Sequence, residues 1–335
     1  MEIQKNIKLA KYTTFKIGGP ASFFCIVKTD EDLVEAITFA QKEKQHLFVL
    51  GGGSNILIHD RGFNGLVIKM CMEGIEYDGE NVRAAAGEGW DDLVDQAVTK
   101  GLYGLENLSA IPGTVGAAPV QNIGAYGAEA SNTIVSVRAF DIKNMKFVEL
   151  TNEECTFSYR DSLFKHEKGR YIITCVNFKL SREPKVNTSY KEVREYLAKK
   201  NIVNPTPEDI RHAVIEIRWG KLPDWKLWGT AGSFFKNPVV NADHFSKLRQ
   251  TFPDLPGFPE DDGRVKVSLG WILDKVCHVK GLCVGNVCTY EKQALVLVSR
   301  PGATSEEVVK LAHELMDTVK EKTGIEIEGE VEWVN

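Results

Sequence analysis

The sequence predicts an α+β protein with more than one domain, and three observations support this prediction. The chain has 335 residues, a length typical of two or three domains of ordinary size. Residues 22–57 have the pattern of a β-α-β unit, with an amphipathic helix between two apolar strands. Strand and helix patterns then continue to residue 334, without an internal repeat or a low-complexity segment.

The elements of the N-terminal half follow from periodicity and capping residues. Residues 22–27 and 46–50 are apolar enough for strands. Thr29 is a typical N-cap for the helix between them, whose expected buried stripe consists of Leu33, Val34, Ile37 and Ala40. A second helix is predicted over 90–100, ended by Gly101. Further strands are predicted at 66–70, 82–86, 134–140, 147–150 and 170–180.

The polar run 181–189 contains Pro184 and is the predicted boundary between domains 1–184 and 185–335. After it, helices are predicted near 191–199 and 207–218, and strand and helix signals alternate over 267–298. Ser305 is expected to cap a long amphipathic helix that Gly324 ends. Residues 325–334 are expected to close the chain as a strand.

Composition and charge exclude several classes of protein. The chain is 43% hydrophobic and 26% charged, as is typical of soluble globular proteins. Its net charge of −5, with scattered Lys and Arg, predicts no nucleic-acid partner. No apolar run reaches the ~18–20 residues of a membrane helix, and the N-terminus lacks the pattern of a signal peptide. We therefore expect a cytoplasmic protein without a membrane partner.

The seven cysteines are odd in number and scattered, which argues against a disulfide framework and for a reducing compartment. Cys277, Cys283 and Cys288 form the one cluster, but their spacing is not that of a metal site. Free cysteines are usually small buried apolar side chains. We expect that role for these three and predict no bound metal.

Two glycine-rich segments are candidates for a ligand site. Gly51, Gly52 and Gly53, followed by Ser54 and Asn55, can converge their backbone N–H groups on an anion or simply form a hairpin turn. Their spacing fits neither GxGxxG nor GxxxxGK[ST]. Residues 101–127 contain six glycines and two prolines among apolar residues. Such a segment allows close approach, either to a ligand or to another part of the core.

Three further features could carry chemistry. The segment Tyr159-Arg-Asp-Ser162 lies between the apolar residues Phe157 and Leu163-Phe164. Its Arg160 could hold a carboxylate or phosphate, or pair with Asp161 as a structural residue. Ser233 stands beside two aromatic residues, as at a pocket edge, but no GxSxG motif surrounds it and a hydrolase nucleophile is not indicated. Glutamates recur at every second position from 326 to 332, a pattern typical of a solvated strand face.

Taken together, these motifs resemble the UDP-N-acetylenolpyruvoylglucosamine reductase family, flavoenzymes that complete UDP-N-acetylmuramate for the bacterial cell wall. The resemblance extends in family order from about residue 13 to 331. It is carried by six segments: Leu50-Gly-Gly-Gly-Ser-Asn-Ile-Leu57, Gly104-Leu-Glu-Asn-Leu108, Ile111-Pro-Gly-Thr-Val-Gly116, Gln121-Asn-Ile-Gly-Ala-Tyr-Gly127, Tyr159-Arg-Asp-Ser162 and Gly232-Ser-Phe-Phe-Lys-Asn-Pro238.

The resemblance implies a fold, a cofactor and a reaction. Residues 1–184 would form an FAD-binding domain of the vanillyl-alcohol-oxidase (PCMH) type, made of two α/β subdomains. Residues 185–335 would form a mixed α/β substrate-binding domain, with its last strand near 325–334 packing back at the active site. FAD would be non-covalent, NADPH would supply the hydride, and the enolpyruvyl group of a UDP-sugar would receive it at the β carbon. The enzyme would act as a monomer in the cytoplasm.

The resemblance also implies residue roles. Ser233 would protonate the α carbon, while Arg160 and Glu330 would stabilise the enol intermediate. FAD would be bound by Gly51, Gly52, Gly53, Ser54, Asn55, Ile111, Pro112, Gly113, Val115, Gly116, Ile123 and Gly124. Substrate would be bound by Gln121, Tyr126, Tyr159, Tyr190, Lys221, Asn237 and Gln293. Tyr190 and the chain length imply a type I member of the family.

The sequence departs from the family pattern in its last strand and before Gln293. Gly329 and Glu332 stand where the family commonly has Pro and Arg, and Tyr290 stands where histidine is frequent. Two other functions remain as alternatives. One is a flavin-dependent alcohol or sugar oxidase of the same superfamily, which would not need Arg160 and Ser233 together. The other is a non-catalytic sugar-nucleotide-binding protein without flavin.

Overall fold

The computed structural model describes the whole chain, Met1–Asn335, which divides into two compact units. The first unit consists of Met1–Ile7, Ala21–Gly52 and Phe63–Gly220. The second consists of Lys8–Pro20, Gly53–Gly62 and Lys221–Asn335, so two short N-terminal segments belong with the C-terminal third. The predicted functional division at 184/185 stays a prediction. None of the helices has the length and apolar character needed to cross a membrane.

The strands are, in chain order, β1 Gln4–Lys8, β2 Pro20–Val27, β3 His46–Leu50, β4 Ile56–Ile58, β5 Phe63–Met70, β6 Ile75–Asp78, β7 Asn81–Ala85, β8 Gly124–Ala125, β9 Ala128–Glu129, β10 Ile134–Asp141, β11 Lys146–Thr151, β12 Tyr171–Lys179, β13 Gly229–Ser233, β14 Val239–Val240, β15 Gly257–Pro259, β16 Val265–Val267, β17 Cys283–Val284, β18 Val287–Thr289, β19 Val296–Ser299 and β20 Glu332–Val334.

The helices are α1 Asp30–Lys42, α2 Trp90–Thr99, α3 Leu163–His166, α4 Lys191–Lys199, α5 Pro207–Lys221, α6 Ala242–Thr251, α7 Leu269–Trp271 and α8 Ser305–Thr323. A π-helical turn, Ile272–Val276, continues α7.

The first unit contains a parallel and an antiparallel sheet. β2, α1 and β3 form the predicted β-α-β unit, and β5 lies between the two strands with parallel pairing to both. The second sheet has the order β11-β10-β12-β7-β6, with the pairings antiparallel throughout. The predicted hairpin of β10 and β11 is confirmed.

Helix α1 confirms the predicted cap and corrects one buried position. The Thr29 hydroxyl accepts from Asp32 N at 3.2 Å, and Asp32 completes a capping box. Leu33, Ile37 and Ala40 are buried as predicted, but Val34 is 36% exposed and Ala36 takes its place in the stripe. One helical residue turns the side chain by about 100°, so Val34 points away from the face that Leu33 buries.

We expect Leu33→Ala to destabilise the protein by about 2–5 kcal/mol, because it leaves a cavity in a closely packed core. Val34→Ala is the matched control, at the adjacent position on the exposed side of α1. It should lower the free energy of unfolding by much less than Leu33→Ala does. Urea unfolding followed by circular dichroism measures both. Equal losses would mean that the burial of Leu33 does not contribute to stability.

The second unit is built on a four-stranded antiparallel sheet of order β13-β19-β18-β17 and a three-stranded sheet of order β14-β16-β15. Its core combines Phe234 and Phe235 with the apolar face of α8. The N-cap of α8 is Thr304, with Ser305 as its first helical residue, so the predicted cap is one residue late. Gly324 ends α8 with φ +70°, as predicted.

The closing strand is shorter than predicted. Only β20 forms a ladder, in parallel pairing with β4. The preceding residues meet the chain after β13 through an isolated bridge between Phe235 and Gly329 and through single backbone hydrogen bonds. They therefore lack the continuous register that a full strand over 325–334 requires.

The expectation that Cys283 and Cys288 are simple apolar side chains is wrong. They form a disulfide between β17 and β18, where they stand directly opposite with Cα atoms 4.0 Å apart. This pairing arises from the hairpin register, which residue spacing alone does not reveal. Cys277 is a buried free thiol, as expected.

Candidate functional site

In the first unit, the glycine turn after β3 meets the second glycine-rich segment. A Cβ on Gly52 would lie 2.7 Å from Gly113 Cα, and one on Gly51 would lie 2.7 Å from Thr114 Oγ1. The backbones can approach this closely because the glycines have no side chain. The predicted cofactor residues Gly51, Gly52 and Gly113 are therefore adjacent.

The segment 113–116 is held in place by backbone hydrogen bonds to the chain around the start of α2. Trp90 N donates to Gly113 O at 3.1 Å, and Val115 N donates to Glu88 O at 2.9 Å. Gly116 N donates to Ala86 O at 2.9 Å. These bonds fix the segment against the chain around the start of α2.

Thr114 supplies a polar atom without a partner beside this turn. Its Oγ1 is buried and has no hydrogen-bond partner within the protein. Buried hydroxyls are nearly always paired, so an orphan of this kind calls for a ligand or water. The turn and the hydroxyl therefore fit a ligand that carries acceptor oxygens.

We expect Gly52→Ala to destabilise the apoprotein by about 1–3 kcal/mol and to weaken ligand binding, because the new methyl would force the backbone of Gly113 away. Gly220→Ala is the matched control, since a Cβ there meets nothing within 4 Å. Thermal unfolding of the apoproteins measures the first effect. An unchanged stability of the Gly52 variant would show that the two backbones are not in tight contact.

Arg160 is tied to the second part of the glycine-rich segment. Its Nη2 donates to Gly124 O at 2.7 Å, and its guanidinium lies 5.3 Å from the Tyr159 ring centroid. Asn122 is fully buried and links the same two segments, since its Nδ2 donates to Ser158 O at 3.2 Å. Asp161 pairs with His166 at 2.6 Å. The structure thus brings the predicted residues Arg160, Tyr159 and Gly124 together.

Tyr126 and Tyr190, both predicted to bind substrate, form an edge-to-face pair with ring centroids 5.2 Å apart. Burial raises the pKa of Tyr126 to about 12 against the opposing charge of Arg218, which is also its side-chain hydrogen-bond partner. Tyr126 therefore stays protonated at neutral pH. Arg218 also donates through Nε to Ala110 O at 3.1 Å, and the backbone of Tyr126 accepts from Asn107 at 2.9 Å.

In the second unit, Ser233, Glu330 and Asn55 lie on neighbouring segments. Ser233 ends β13, and the next carbonyl, Phe234 O, accepts from Glu330 N at 2.8 Å. Asn55 Nδ2 donates to Glu330 O at 3.1 Å, and Glu332 N donates to Asn55 O at 3.0 Å. The segment after the glycine turn and the chain end therefore position Glu330 beside the serine strand.

Gln293 and Asn237 have different surroundings in the second unit. Gln293 belongs to the turn before β19, whose Val296 stands opposite Ser233 in the sheet register. Its side chain lies close to Gly270 of α7. Asn237 Oδ1 accepts from Leu269 N at 3.0 Å, which holds the start of α7. Two predicted substrate residues remain: Lys221 ends α5, and Gln121 lies in the segment before β8.

The sequence patterns do not distinguish Thr114, Lys69 or Arg218 as site residues. Thr114 lies inside one of the recognised motifs, but only its burial without a partner distinguishes it. Lys69 interrupts the apolar run from Leu66 to Met70, and this signal is visible in the sequence. Arg218 has no local signal, because its contacts to Tyr126 and Ala110 depend on the packing of α5.

Comparison with known proteins identifies two matching family models. Residues 21–151 match the model described as FAD binding domain. Residues 224–334 match the model for the C-terminal domain of UDP-N-acetylenolpyruvoylglucosamine reductase. The second match contains Ser233, Asn237, Gln293 and Glu330, and favours the reductase over an oxidase of the same superfamily.

Full-length relatives carry the same name. The chain is 43% identical to the UDP-N-acetylenolpyruvoylglucosamine reductase of Chromobacterium violaceum, with 98% of each chain covered. It is 42% identical to that of Pseudomonas aeruginosa, again over 98% of both. A crystal structure of UDP-N-acetylenolpyruvylglucosamine reductase from Thermus caldophilus is 27% identical and aligns over 100% of both chains with a TM-score of 0.72.

These matches extend over nearly the entire chain and agree with the order of the motifs. The glycine turn and the orphan hydroxyl of Thr114 fit an FAD-binding domain. On this evidence of sequence and fold, the chain belongs to the UDP-N-acetylenolpyruvoylglucosamine reductase family.

Proposed function

We propose that the chain catalyses the NADPH-dependent, FAD-mediated reduction of UDP-N-acetyl-3-O-(1-carboxyvinyl)glucosamine to UDP-N-acetylmuramate in peptidoglycan synthesis. The full-length relatives named for this reductase support the substrate class. The observation that carries the proposed chemistry is the backbone hydrogen bond of 2.8 Å from Glu330 N to Phe234 O, beside Ser233. It joins a carboxylate segment and a hydroxyl segment that are remote in sequence.

FAD would be held without a covalent bond. Gly51, Gly52 and Gly113, with the orphan hydroxyl of Thr114, supply a glycine-lined approach and an unpaired polar atom suited to phosphate oxygens. When bound, the flavin would take a hydride from NADPH and deliver one to the β carbon of the enolpyruvyl group. Val115, Gly116, Ile123 and Gly124 would line the same cofactor.

Ser233 would donate the proton to the α carbon. A serine hydroxyl is a weak acid at neutral pH, but a carbon-centred enolate is basic enough to accept its proton. Ser233 ends β13 beside the rigid pair Phe234 and Phe235, which are buried, and a fixed hydroxyl position favours proton transfer. We assign to Glu330 the role of stabilising the enol intermediate next to this hydroxyl.

Arg160 would bind the substrate carboxylate, where negative charge develops as the enolate forms. Its hydrogen bond to Gly124 O orients the guanidinium without neutralising its charge. Preorganised positive charge of this kind stabilises a developing anion. Tyr190, 39% exposed and packed edge-on against Tyr126, is suited to cover the sugar nucleotide, with Gln121, Tyr159, Lys221, Asn237 and Gln293 as further contacts.

The decisive experiment separates the two half-reactions. Purified protein reconstituted with FAD is reduced anaerobically by NADPH, and the enolpyruvyl sugar nucleotide is then added. We expect bleaching of the flavin absorbance in the first step and its recovery in the second, with stoichiometric formation of UDP-N-acetylmuramate. Flavin reduction by simple sugars or alcohols, with recovery by oxygen but not by the enolpyruvyl compound, would contradict the proposal.

We also propose that the enzyme works as a cytoplasmic monomer that needs neither nucleic acid nor a membrane. The scattered Lys and Arg residues and the net charge of −5 support the absence of a nucleic-acid partner. Light scattering of the FAD-loaded protein tests the oligomeric state, and a mass near the 37.3 kDa of one chain is the expected result.

A further inference from the structure

Lys69 carries a charge in a stretch of β5 that is otherwise apolar and closed to solvent. Leu66, Val67 and Ile68 are fully buried, and Met70 is 3% exposed. β5 is an inner strand of its sheet, between β2 and β3. An ammonium group at such a position loses hydration, which is costly unless acceptors or an anion compensate.

The protein itself supplies little compensation. Lys69 Nζ donates to the carbonyl oxygen of Gly51, in the turn that follows its register partner Leu50. No carboxylate pairs with it. Burial lowers the pKa of Lys69, with the Cys71 thiol as the one group nearby that acts against this shift. Since an ammonium has three donors, Gly51 O leaves most of its hydrogen-bonding capacity for another acceptor.

Thr114 also lies next to Gly51. Its buried, unpartnered Oγ1 is 2.7 Å from the position of a Cβ on Gly51. An underused cation and an unpaired hydroxyl donor are thus both next to Gly51. Both donors next to Gly51 suit a single ligand with several acceptor oxygens and negative charge.

We propose that the Lys69 ammonium and the Thr114 hydroxyl bind the diphosphate of FAD. The inference rests on the proposed function for the identity of the cofactor. The diphosphate offers oxygens to both donors and a charge opposite to that of Lys69. The glycine turn provides backbone N–H groups, while Lys69 supplies the positive charge that backbone groups lack.

The test compares Lys69→Met and Thr114→Val, which keep size while removing the charge and the hydroxyl. Affinity for FAD and for ADP is measured by calorimetry on the apoproteins, and thermal unfolding is measured without ligand. We expect each variant to bind FAD and ADP about tenfold to hundredfold more weakly, the usual weight of a charge-assisted hydrogen bond. The apoprotein melting temperature of Thr114→Val should stay equal or rise, because an unpaired buried hydroxyl is removed. That of Lys69→Met should fall only slightly, because the variant loses one hydrogen bond to Gly51 O and also removes a poorly hydrated charge.

Two controls restrict the interpretation to the diphosphate. Lys146→Met removes an exposed lysine at the start of β11 and should leave both affinities unchanged. Adenosine, which lacks the diphosphate, should bind the wild type and both variants alike. Raising the salt concentration should weaken ADP binding less in Lys69→Met than in the wild type.

Affinities for FAD and ADP within twofold of wild type in both variants would overturn the proposal. A melting temperature of Thr114→Val that falls together with its affinity would also overturn it, because it would indicate a structural role for the hydroxyl. Failure of the wild-type protein to bind FAD and ADP would also overturn the proposal. None of these measurements involves catalysis, so a protein that binds FAD through Lys69 but does not reduce the enolpyruvyl substrate would refute the proposed function alone.

Discussion

Ser233→Ala is expected to leave flavin reduction by NADPH nearly intact and to slow flavin reoxidation by the enolpyruvyl substrate by about 10²–10⁴, the usual weight of a positioned general acid. The physical reason is that hydride transfer from NADPH needs no proton from Ser233, whereas the enolate formed from substrate does. Stopped-flow absorbance of the flavin measures both half-reactions separately.

Ser246→Ala is the matched control for this prediction. The same hydroxyl is removed there from an exposed position on α6, within the same compact unit. Both half-reactions of the control should keep wild-type rates. Equal slowing of the two half-reactions in Ser233→Ala would refute Ser233 as the acid, since it would indicate disturbed flavin binding or folding.

Arg160→Lys is expected to lower the rate of reoxidation by substrate by about 10²–10³, comparable to the loss of one donor from an oxyanion hole. Arg160 holds Gly124 O through Nη2 at 2.7 Å, which fixes the plane of its guanidinium. An ammonium is a point charge and cannot reproduce that planar geometry. Single-turnover kinetics at saturating substrate separate this effect from weaker binding.

The control for Arg160→Lys is Arg83→Lys, the same exchange at an exposed position on β7. It should leave reoxidation unchanged. The backbone of Arg160 has φ +56°, so lysine and arginine meet the same conformational cost there and the comparison isolates the guanidinium. Near-normal turnover of Arg160→Lys would return Arg160 to a purely structural role.

Only some elements of the first unit could be predicted from local sequence, since β6, β8, β9 and α3 have no counterpart among the predictions. The cap at Thr29, the apolar spacing of α1 and the limits of β3 depend on residues close together in the chain, where periodicity and capping act. The wrong prediction that Val34 is buried also came from local sequence. Its residue type suits a core, but the helical angle directs it to the exposed side, and only the surrounding sheet defines which side is buried.

The candidate residues were named through motifs, but their contacts could not be predicted. Arg160 was left between a ligand role and a pair with Asp161, and the structure places Asp161 with His166. The bond from Arg160 to Gly124 joins two segments that no periodic pattern relates. The disulfide of Cys283 with Cys288 likewise depends on hairpin register, which a cysteine count does not contain.

The sequence by itself determined the element types, the glycine segments and the family. Short-range rules sufficed for this, because helix caps, apolar periods and glycine spacing are properties of neighbouring residues. Tertiary structure alone decided that Thr114 and Lys69 meet at Gly51, and that the chain end holds Glu330 beside the strand of Ser233. Burial and hydrogen-bond satisfaction arise only when remote segments pack together, and these two quantities distinguish a binding residue from an ordinary one.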